Sequence, residues 1–287
     1  MSSIIKANRF IESHLEKLQK DCDEISKYKK PRMKVFLVGE HAPSLTYVNN
    51  KKRMCEKVGA ECEIIRLEEK TSQVDFLQII EDSNNDDSVT GMIIQLPLPQ
   101  HLKELDIYSL VAAQKDIDGF HPRNINKIFE NKVSEDSLIP CTPKGVMNLL
   151  RFEGTEFSGK KVAVIGRSHI VGKPLSLLFL NKNATVTMCH SQTKDLRGIC
   201  QDADIIVSAV GKPKFIDESF VSKTKKQTFV DVGMSKLKTG KLCGDMDFDS
   251  ILACEPQGIT PVPGGVGPMT VFSLIQNLLI ATKGQIK

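Results

Sequence analysis

Apolar residues along this chain recur in two rhythms, and the changes between them outline its architecture. In MSSIIKANRFIESHLEKLQK, Ile4, Ile5, Phe10, Ile11, Leu15 and Leu18 fall near helical spacing, which predicts an amphipathic helix. Compact apolar runs follow at 33–39 (MKVFLVG), 62–67 (CEIIRL) and 91–97 (GMIIQLP), each read as a buried strand. Helical patterns separate them at 44–58 and 72–83. Pro43 and Ser44 open the first of these, with Ser44 as the expected N-cap and Gly59 as the C-terminal glycine. Residues 103–113 are expected to be helical, and KDIDGFHPRN (115–124) a turn-rich loop.

A second helix start stands at PCTPKGVMNLL, where Thr142 can cap, Pro143 suits the first position, and Val146, Met147, Leu149 and Leu150 supply an apolar side. After Gly159 come a strand at 161–166, a helix at 172–181, a strand at 184–189, a helix near 194–201, and strands at 204–209 and 228–232. Strands alternating with helices call for a parallel α/β architecture, and this second series is Rossmann-like. An apolar helix, TVFSLIQNLLIA, closes the chain after a Gly/Pro-rich loop. The expected arrangement is therefore two domains. Residues 1–140 form an N-terminal α/β domain, 141–267 a Rossmann-like domain, and 268–287 return to pack on the first.

Composition narrows the classes. Lys and Arg total 39 against 35 Asp and Glu, and the basic residues are scattered in short clusters at Lys29-Lys30, Lys51-Lys52-Arg53 and 223–226. That distribution argues against a nucleic-acid-binding face. The N-terminus lacks the apolar core of a signal peptide, and no run approaches the roughly 20 residues a membrane span needs. The eight cysteines show neither Cys-x-x-Cys nor paired Cys/His ligand spacing, so they are expected to be reduced thiols without a metal. A cytosolic globular protein is the expectation.

Candidate chemistry begins at VAVIGRSHIVGKP (162–174), an apolar run, a glycine and a helix start. A dinucleotide fingerprint would read Gly-x-Gly-x-x-Gly; here the order is Gly166, Arg167, Ser168, His169, Ile170, Val171, Gly172. Gly172 permits close approach at the helix start, whose free N–H groups suit an anion. A tight turn in a purely structural sheet has the same spacing, so the glycines alone leave both readings open. The next strand shifts the balance. NAD sites place a carboxylate about 20 residues beyond the glycines to hold the ribose 2′-OH, but TVTMCHSQT ends in His190 and Ser191 with none. Ser191 can donate a hydrogen bond to a 2′-phosphate and Arg167 can pair with it, so together they read as an NADP selector.

SLTYVNNK places Tyr47 and Lys51 at i,i+4 on one helix face. Such pairs are common on exposed helices, but Met54, Cys55 and Val58 continue toward the buried side, and partial burial makes a lysine a usable acid or base. Gln95 stands at a strand end, where open α/β sheets bind ligands. KDIDGF offers Asp116 and Asp118; an Asp-Gly turn is ordinarily only a turn, yet Asp118 could face a heterocycle with adjacent N–H donors. ITPVPGGVGPMT (259–270) is stiff and poor in side chains, so a flat ligand could lie against its backbone; an interdomain linker is the plainer alternative.

Taken in order and spacing, SLTYVNNK, IIQLPLP, KDIDGF, PCTPKGV, GRSHIVGKP, TVTMCHSQT and PVPGGVGPMT resemble the bifunctional methylenetetrahydrofolate dehydrogenase/methenyltetrahydrofolate cyclohydrolase family over essentially the whole chain. The resemblance implies oxidation of 5,10-methylenetetrahydrofolate with NADP, then hydrolysis of the methenyl cation to 10-formyltetrahydrofolate, in one-carbon metabolism serving purine biosynthesis. It implies Lys51 as the acid/base lysine with Tyr47, Gln95 and Asp118 as its catalytic companions, Tyr47 stacking on the aminobenzoate ring and Asp118 holding the pterin. Val48, Asn49, Asn50, Ile94 and Leu96 join the folate lining, as do Pro261, Val262, Pro263, Gly264, Gly265, Val266, Gly267, Pro268 and Met269. NADP would contact Gly166, Arg167, Ser168, Gly172, Ser191, Val232, Cys141 and Thr142. Members of the family look like homodimers joined through their cofactor domains, and the same arginine and serine are compatible with NAD use assisted by phosphate and a metal. Two rival readings remain at this point. One is another two-domain NADP dehydrogenase similar to shikimate dehydrogenase; the other is a catalytically silent folate- or nucleotide-binding protein, against which the intact Tyr47, Lys51, Gln95 and Asp118 argue.

Overall fold

The computed structural model describes residues 3–40, 42–237 and 239–286. In chain order its elements are β1 (Ser3–Ile4), α1 (Ala7–Ser26), β2 (Arg32–Val38), α2 (Ala42–Val58), β3 (Glu61–Leu67), α3 (Gln73–Asn85) and β4 (Gly91–Ile94). A 3-10 turn (Gln100–Leu102), α4 (Ile107–Leu110), α5 (Pro122–Phe129), α6 (Cys141–Phe152), β5 (Lys161–Ile165), α7 (Gly172–Leu180) and β6 (Thr185–Cys189) follow. The chain ends with α8 (Leu196–Asp202), β7 (Ile205–Ser208), a 3-10 turn (Glu218–Phe220), β8 (Thr228–Asp231), β9 (Ser235–Lys236), β10 (Leu242–Cys243), α9 (Phe248–Ala253), β11 (Gly258–Ile259) and α10 (Val266–Lys283). Among the described residues no helix is long and apolar enough to cross a membrane.

The chain is α/β and divides into two compact units. One comprises Ser13–Cys141 and the residues from Val271 on. Its sheet is parallel, in the order β3-β2-β4. Central β2 buries Met33, Val35, Phe36, Leu37 and Val38, the near-continuous apolar run of a strand covered on both faces. Phe76 and Ile80, one turn apart on α3, pack with Phe36, Val38 and Met92. The C-terminal helix α10 returns to this unit: Leu278 lies against Gly91, where an added Cβ would come within 2.8 Å of it. Thr282 Oγ1 donates to Thr90 Oγ1 at 2.7 Å, and Gln285 Nε2 donates to the Thr90 carbonyl at 2.9 Å.

The other unit comprises the residues up to Glu12 and Thr142–Thr270. It is a Rossmann-like six-stranded parallel sheet, β1-β11-β8-β7-β5-β6. Its core joins Ile165, Ile206, Phe229 and Ile259 from the strands to Phe220, Met246 and Ile251 from the connections.

The structure departs from the sequence-based expectation at several points. Residues up to Glu12 group with the Rossmann-like unit, because Ser3 and Ile4 add a strand beside Gly258 and Ile259. Strands of two residues carry no periodicity to read. Ser44 is not an N-cap: α2 begins two residues earlier, and Ser44 is buried with its Oγ donating to the Leu96 carbonyl at 3.5 Å. Thr142 likewise lies inside α6, its Oγ1 within 3.0 Å of Thr270 Oγ1. Only Ile107–Leu110 of the expected 103–113 helix is α-helical. Conversely, α5 starts inside the expected loop, with Pro122 in the first turn and the His121 side chain accepting from the Arg123 N–H as its cap.

Candidate active site

Helix α2 places Tyr47, Lys51 and Cys55 one turn apart on a single face. Val48 and Cys55 are buried, Tyr47 is half-buried, and Asn49 and Asn50 face solvent. Lys51 is only 8% exposed. Its Nζ donates to Gln95 Oε1 at 3.0 Å, and among the described residues it forms no ion pair. Gln95 sits just past β4, its N–H continuing the ladder to the Phe36 carbonyl at 2.9 Å and its Nε2 donating to the Leu96 carbonyl at 2.8 Å. The amide is thereby oriented with its oxygen toward the amine. Burial raises the Tyr47 hydroxyl above its usual pKa, keeping the ring neutral.

The third polar group comes from the loop after α4. Asp118 is half-buried, and among the described residues its carboxyl accepts no hydrogen bond. Burial pushes it above the usual carboxylate range, the Lys51 charge pulls it down, and Asp116 pushes it up again. Asp116 is spent structurally: it accepts from the Gly119 and His121 N–H groups at 3.1 and 2.8 Å and from Asn124 Nδ2 at 2.9 Å. Lys115, also buried, donates to the carbonyls of Ser83, Asn84 and Asp86 at the end of α3. A cavity of about 20 Å³ opens beside Asp118, walled by Ile94, Leu96, Tyr108 and Phe120 among others. Tyr108 and Phe120 meet edge to face, 6.0 Å between centroids. Neither aromatic was singled out from the sequence: Tyr108 lies in the segment expected to be helical and Phe120 in the expected loop.

In the Rossmann-like unit, the turn after β5 accounts for both of its glycines. Gly166 has φ +121°, and a Cβ there would lie 2.5 Å from the Ala209 carbonyl oxygen; at Gly172 one would lie 2.1 Å from the Gly166 carbonyl oxygen. Helix α7 thus starts in backbone contact with the turn. Ser168 Oγ accepts from the Val171 and Gly172 N–H groups at 3.2 and 3.3 Å, which partly caps that start. Arg167 and Ser191 are exposed, and among the described residues Arg167 forms no ion pair. No acidic side chain occupies the end of β6, where Cys189, His190 and Ser191 follow one another. These features fit a dinucleotide carrying a 2′-phosphate: room for backbone approach, an available guanidinium and no repelling carboxylate. Val232 is half-buried after β8, its N–H donating to the Ser208 carbonyl at 2.9 Å. Cys141 is buried, its thiol donating to the Ile117 carbonyl at 3.2 Å. In the loop 261–269, the Gly265 N–H donates to the Pro261 carbonyl at 2.9 Å, while the Gly264 carbonyl accepts from the Ala7 N–H at 3.0 Å.

Two buried carboxylates brace this end of the sheet, and periodicity gave no sign of them. Asp231 accepts from the N–H groups of Gly233, Asp245 and Met246 at 2.8–3.0 Å. Asp245 accepts from Ser208 Oγ and from the Val210 and Lys212 N–H groups at 2.7–3.1 Å. The segment so held includes Ala209, against which Gly166 packs. Burial, with Asp245 alongside, pushes the Asp231 carboxyl up to about 7 against the pull of its N–H donors.

Sequence comparison bears on both units. A family model described as the tetrahydrofolate dehydrogenase/cyclohydrolase catalytic domain matches residues 5–118, and one described as the NAD(P)-binding domain of the same family matches 140–286. The chain belongs to the tetrahydrofolate dehydrogenase/cyclohydrolase family. It is 42% identical over 285 residues to a bifunctional FolD protein of Listeria innocua, covering 99% of this chain and 98% of that one. The crystal structure of the Campylobacter jejuni bifunctional FolD dehydrogenase/cyclohydrolase superposes with TM-score 0.94 at 36% identity, covering 99% of each chain. The Trypanosoma brucei methylenetetrahydrofolate dehydrogenase-cyclohydrolase, a complex with NADP and an inhibitor, gives 0.92 at 30% identity, covering 100% of this chain and 99% of that one. With both halves matched to one enzyme family, neither a shikimate dehydrogenase-like protein nor a silent binder is the better reading.

Two outcomes follow for this member of the dehydrogenase/cyclohydrolase family. Gly172→Ala forces a methyl into the Gly166 carbonyl, so calorimetric titration should show NADP binding weakened about tenfold or more, since small misplacements at such a site are costly; unchanged binding would contradict the fit. Asp231, with an unfolded pKa of about 3.9, takes up its proton on folding at mildly acidic pH. Its contribution to stability is therefore present below about pH 4 and lost as pH rises through about 7. Measured against Asp231→Asn by urea unfolding, wild type should lose relative stability across that window, by up to about 4 kcal/mol; a relative gain would contradict the shift.

Proposed function

We propose that this chain oxidises 5,10-methylenetetrahydrofolate to the methenyl cation with NADP and hydrolyses that cation to 10-formyltetrahydrofolate, with Lys51, Gln95 and Asp118 as the working polar groups. The observation that carries the reading is the buried Lys51 amine, bonded to an amide oxygen rather than to a carboxylate. NADP, when bound, supplies the hydride acceptor. The positive charge left by hydride loss is delocalised over N5–C–N10 of the folate, so that step asks the chain for alignment rather than for a base. Adding water to the cation releases a proton, and opening the ring takes one up at nitrogen. Lys51 moves these protons, and Gln95 orients its amine.

Asp118, raised by burial and without a hydrogen-bond donor of its own among the described residues, receives the N–H donors of the pterin. Tyr47 stacks on the aminobenzoate ring, and Val48, Asn49, Asn50, Ile94, Leu96 and the loop 261–269 complete the folate lining. Gly166, Arg167, Ser168, Gly172, Ser191 and Val232 hold NADP, together with Cys141 and Thr142. The exposed Arg167 and the absence of an acidic residue after β6 support NADP over NAD. We further propose a cytoplasmic homodimer joined through the cofactor domains, serving one-carbon metabolism and purine biosynthesis. Eight free cysteines support the reducing compartment, and β6, at the sheet edge with Met188 exposed, supports an edge contact.

The test is to mix the protein with 5,10-methylenetetrahydrofolate and either NADP or NAD while following reduced cofactor and methenyl absorbance. Reduced NADP should appear and the methenyl signal should then decay by hydrolysis; no reduced cofactor with either would sink the dehydrogenase. In Lys51→Met the hydrolysis should fall at least 100-fold, the usual worth of an acid/base group, and hydride transfer far less. An equal loss of both would make Lys51 a substrate-positioning residue only.

A further inference from the structure

The Asp118 carboxyl carries the pterin in the reading above, yet no hydrogen bond among the described residues holds that carboxyl itself. Its loop is held from the far end of the chain. Asn277, on α10, is fully buried, and its single amide nitrogen donates to two carbonyls, Ile117 at 2.8 Å and Ile139 at 2.9 Å. Those carbonyls belong to two segments that meet backbone to backbone. At Gly119 an added Cβ would lie 2.3 Å from the Ile139 carbonyl carbon. The Cys141 N–H donates to the Asp118 carbonyl at 3.3 Å, and Cys141 Sγ donates to the Ile117 carbonyl at 3.2 Å. Asp118 therefore lies between a residue clamped by Asn277 and a glycine pressed against the other clamped strand of backbone. The amide has little freedom of its own, because Leu278 beside it packs on Gly91 and Thr282 is bonded to Thr90.

We propose that Asn277 is a positioning residue for Asp118 and, through it, a determinant of folate binding. The proposal rests on the role assigned to Asp118. Asn carries two N–H donors on one nitrogen, which is what two converging carbonyls require. Leucine has nearly the same shape and no donor, so Asn277→Leu leaves the Ile139 carbonyl buried without this donor and the Ile117 carbonyl with only the weak Cys141 thiol donor. The two segments then move apart, and Asp118 shifts relative to Lys51, which stands on a different element.

A double-mutant cycle of Asn277→Leu and Asp118→Asn tests this, read as the calorimetric Kd of tetrahydrofolate and of NADP. Asn277→Leu should weaken tetrahydrofolate binding about tenfold, on the scale that small misplacements cost, with the NADP Kd within about twofold. In the Asp118→Asn background the same change should add less than about twofold to the tetrahydrofolate Kd. Should Asn277→Leu fail to fold, Asn277→Thr, which keeps one donor, carries the same cycle with a smaller effect of the same pattern. Equal penalties in both backgrounds, or equal losses for tetrahydrofolate and NADP, would overturn the assignment of Asn277 while leaving the reading of Asp118 intact. If Asp118→Asn alone leaves tetrahydrofolate binding unchanged, the Asp118 role fails and the proposal with it.

Discussion

An ammonium group taken out of water costs several kcal/mol unless something replaces its hydration. Lys51 is buried on α2, and the group that meets its amine is the Gln95 amide oxygen, 3.0 Å away. A carboxylate in that place would hold the proton tightly as an ion pair. An amide holds the amine in place through a neutral acceptor. The three groups of the proposed site are held in three different ways. Gln95 is fixed by the β2–β4 ladder, Lys51 by the buried face of α2, and Asp118 by a loop that has no ladder.

Around that loop, buried polar groups bond to backbone. Lys115 closes the end of α3, Asp116 gathers N–H groups from its own turn, and Asn277 bridges two carbonyls. The Rossmann-like unit uses the same device with Asp231 and Asp245, which replace ladder bonds by carboxylate-to-amide bonds where strands end and the chain turns. Polar and charged groups bonded to backbone make rigid connections without regular structure, and Asp231 does so at the carboxyl end of β8.

These two kinds of support differ in how far the sequence reveals them. Tyr47 and Lys51 were legible as neighbours because helical spacing alone puts residues four apart on one face. Gln95 was legible as a strand end, and Gly166 and Gly172 as a turn, because each pattern is local. Asn277 was not, since its partners are Ile117 and Ile139 and only the folded chain brings them together. β1 and β11 were missed for the same reason, each being two residues whose existence is a pairing rather than a pattern. Ser44 misled because serine is a favoured N-cap, whereas here it lies buried within α2 with its Oγ donating to the Leu96 carbonyl. The proton-transfer role proposed for Lys51 is what the resemblance to the family implies, beyond anything helical spacing shows.

In the proposed mechanism, Lys51 moves protons because its partner is an amide. Gln95→Glu changes that one property while keeping the shape, and puts a carboxylate 3.0 Å from the amine in place of the amide oxygen. Steady-state rates of both half-reactions should be measured on this variant. Cyclohydrolase activity should fall about 100-fold or more, the worth of a proton-transfer group, with hydride transfer reduced less than about tenfold. Unimpaired hydrolysis, or equal loss of both activities, would contradict it.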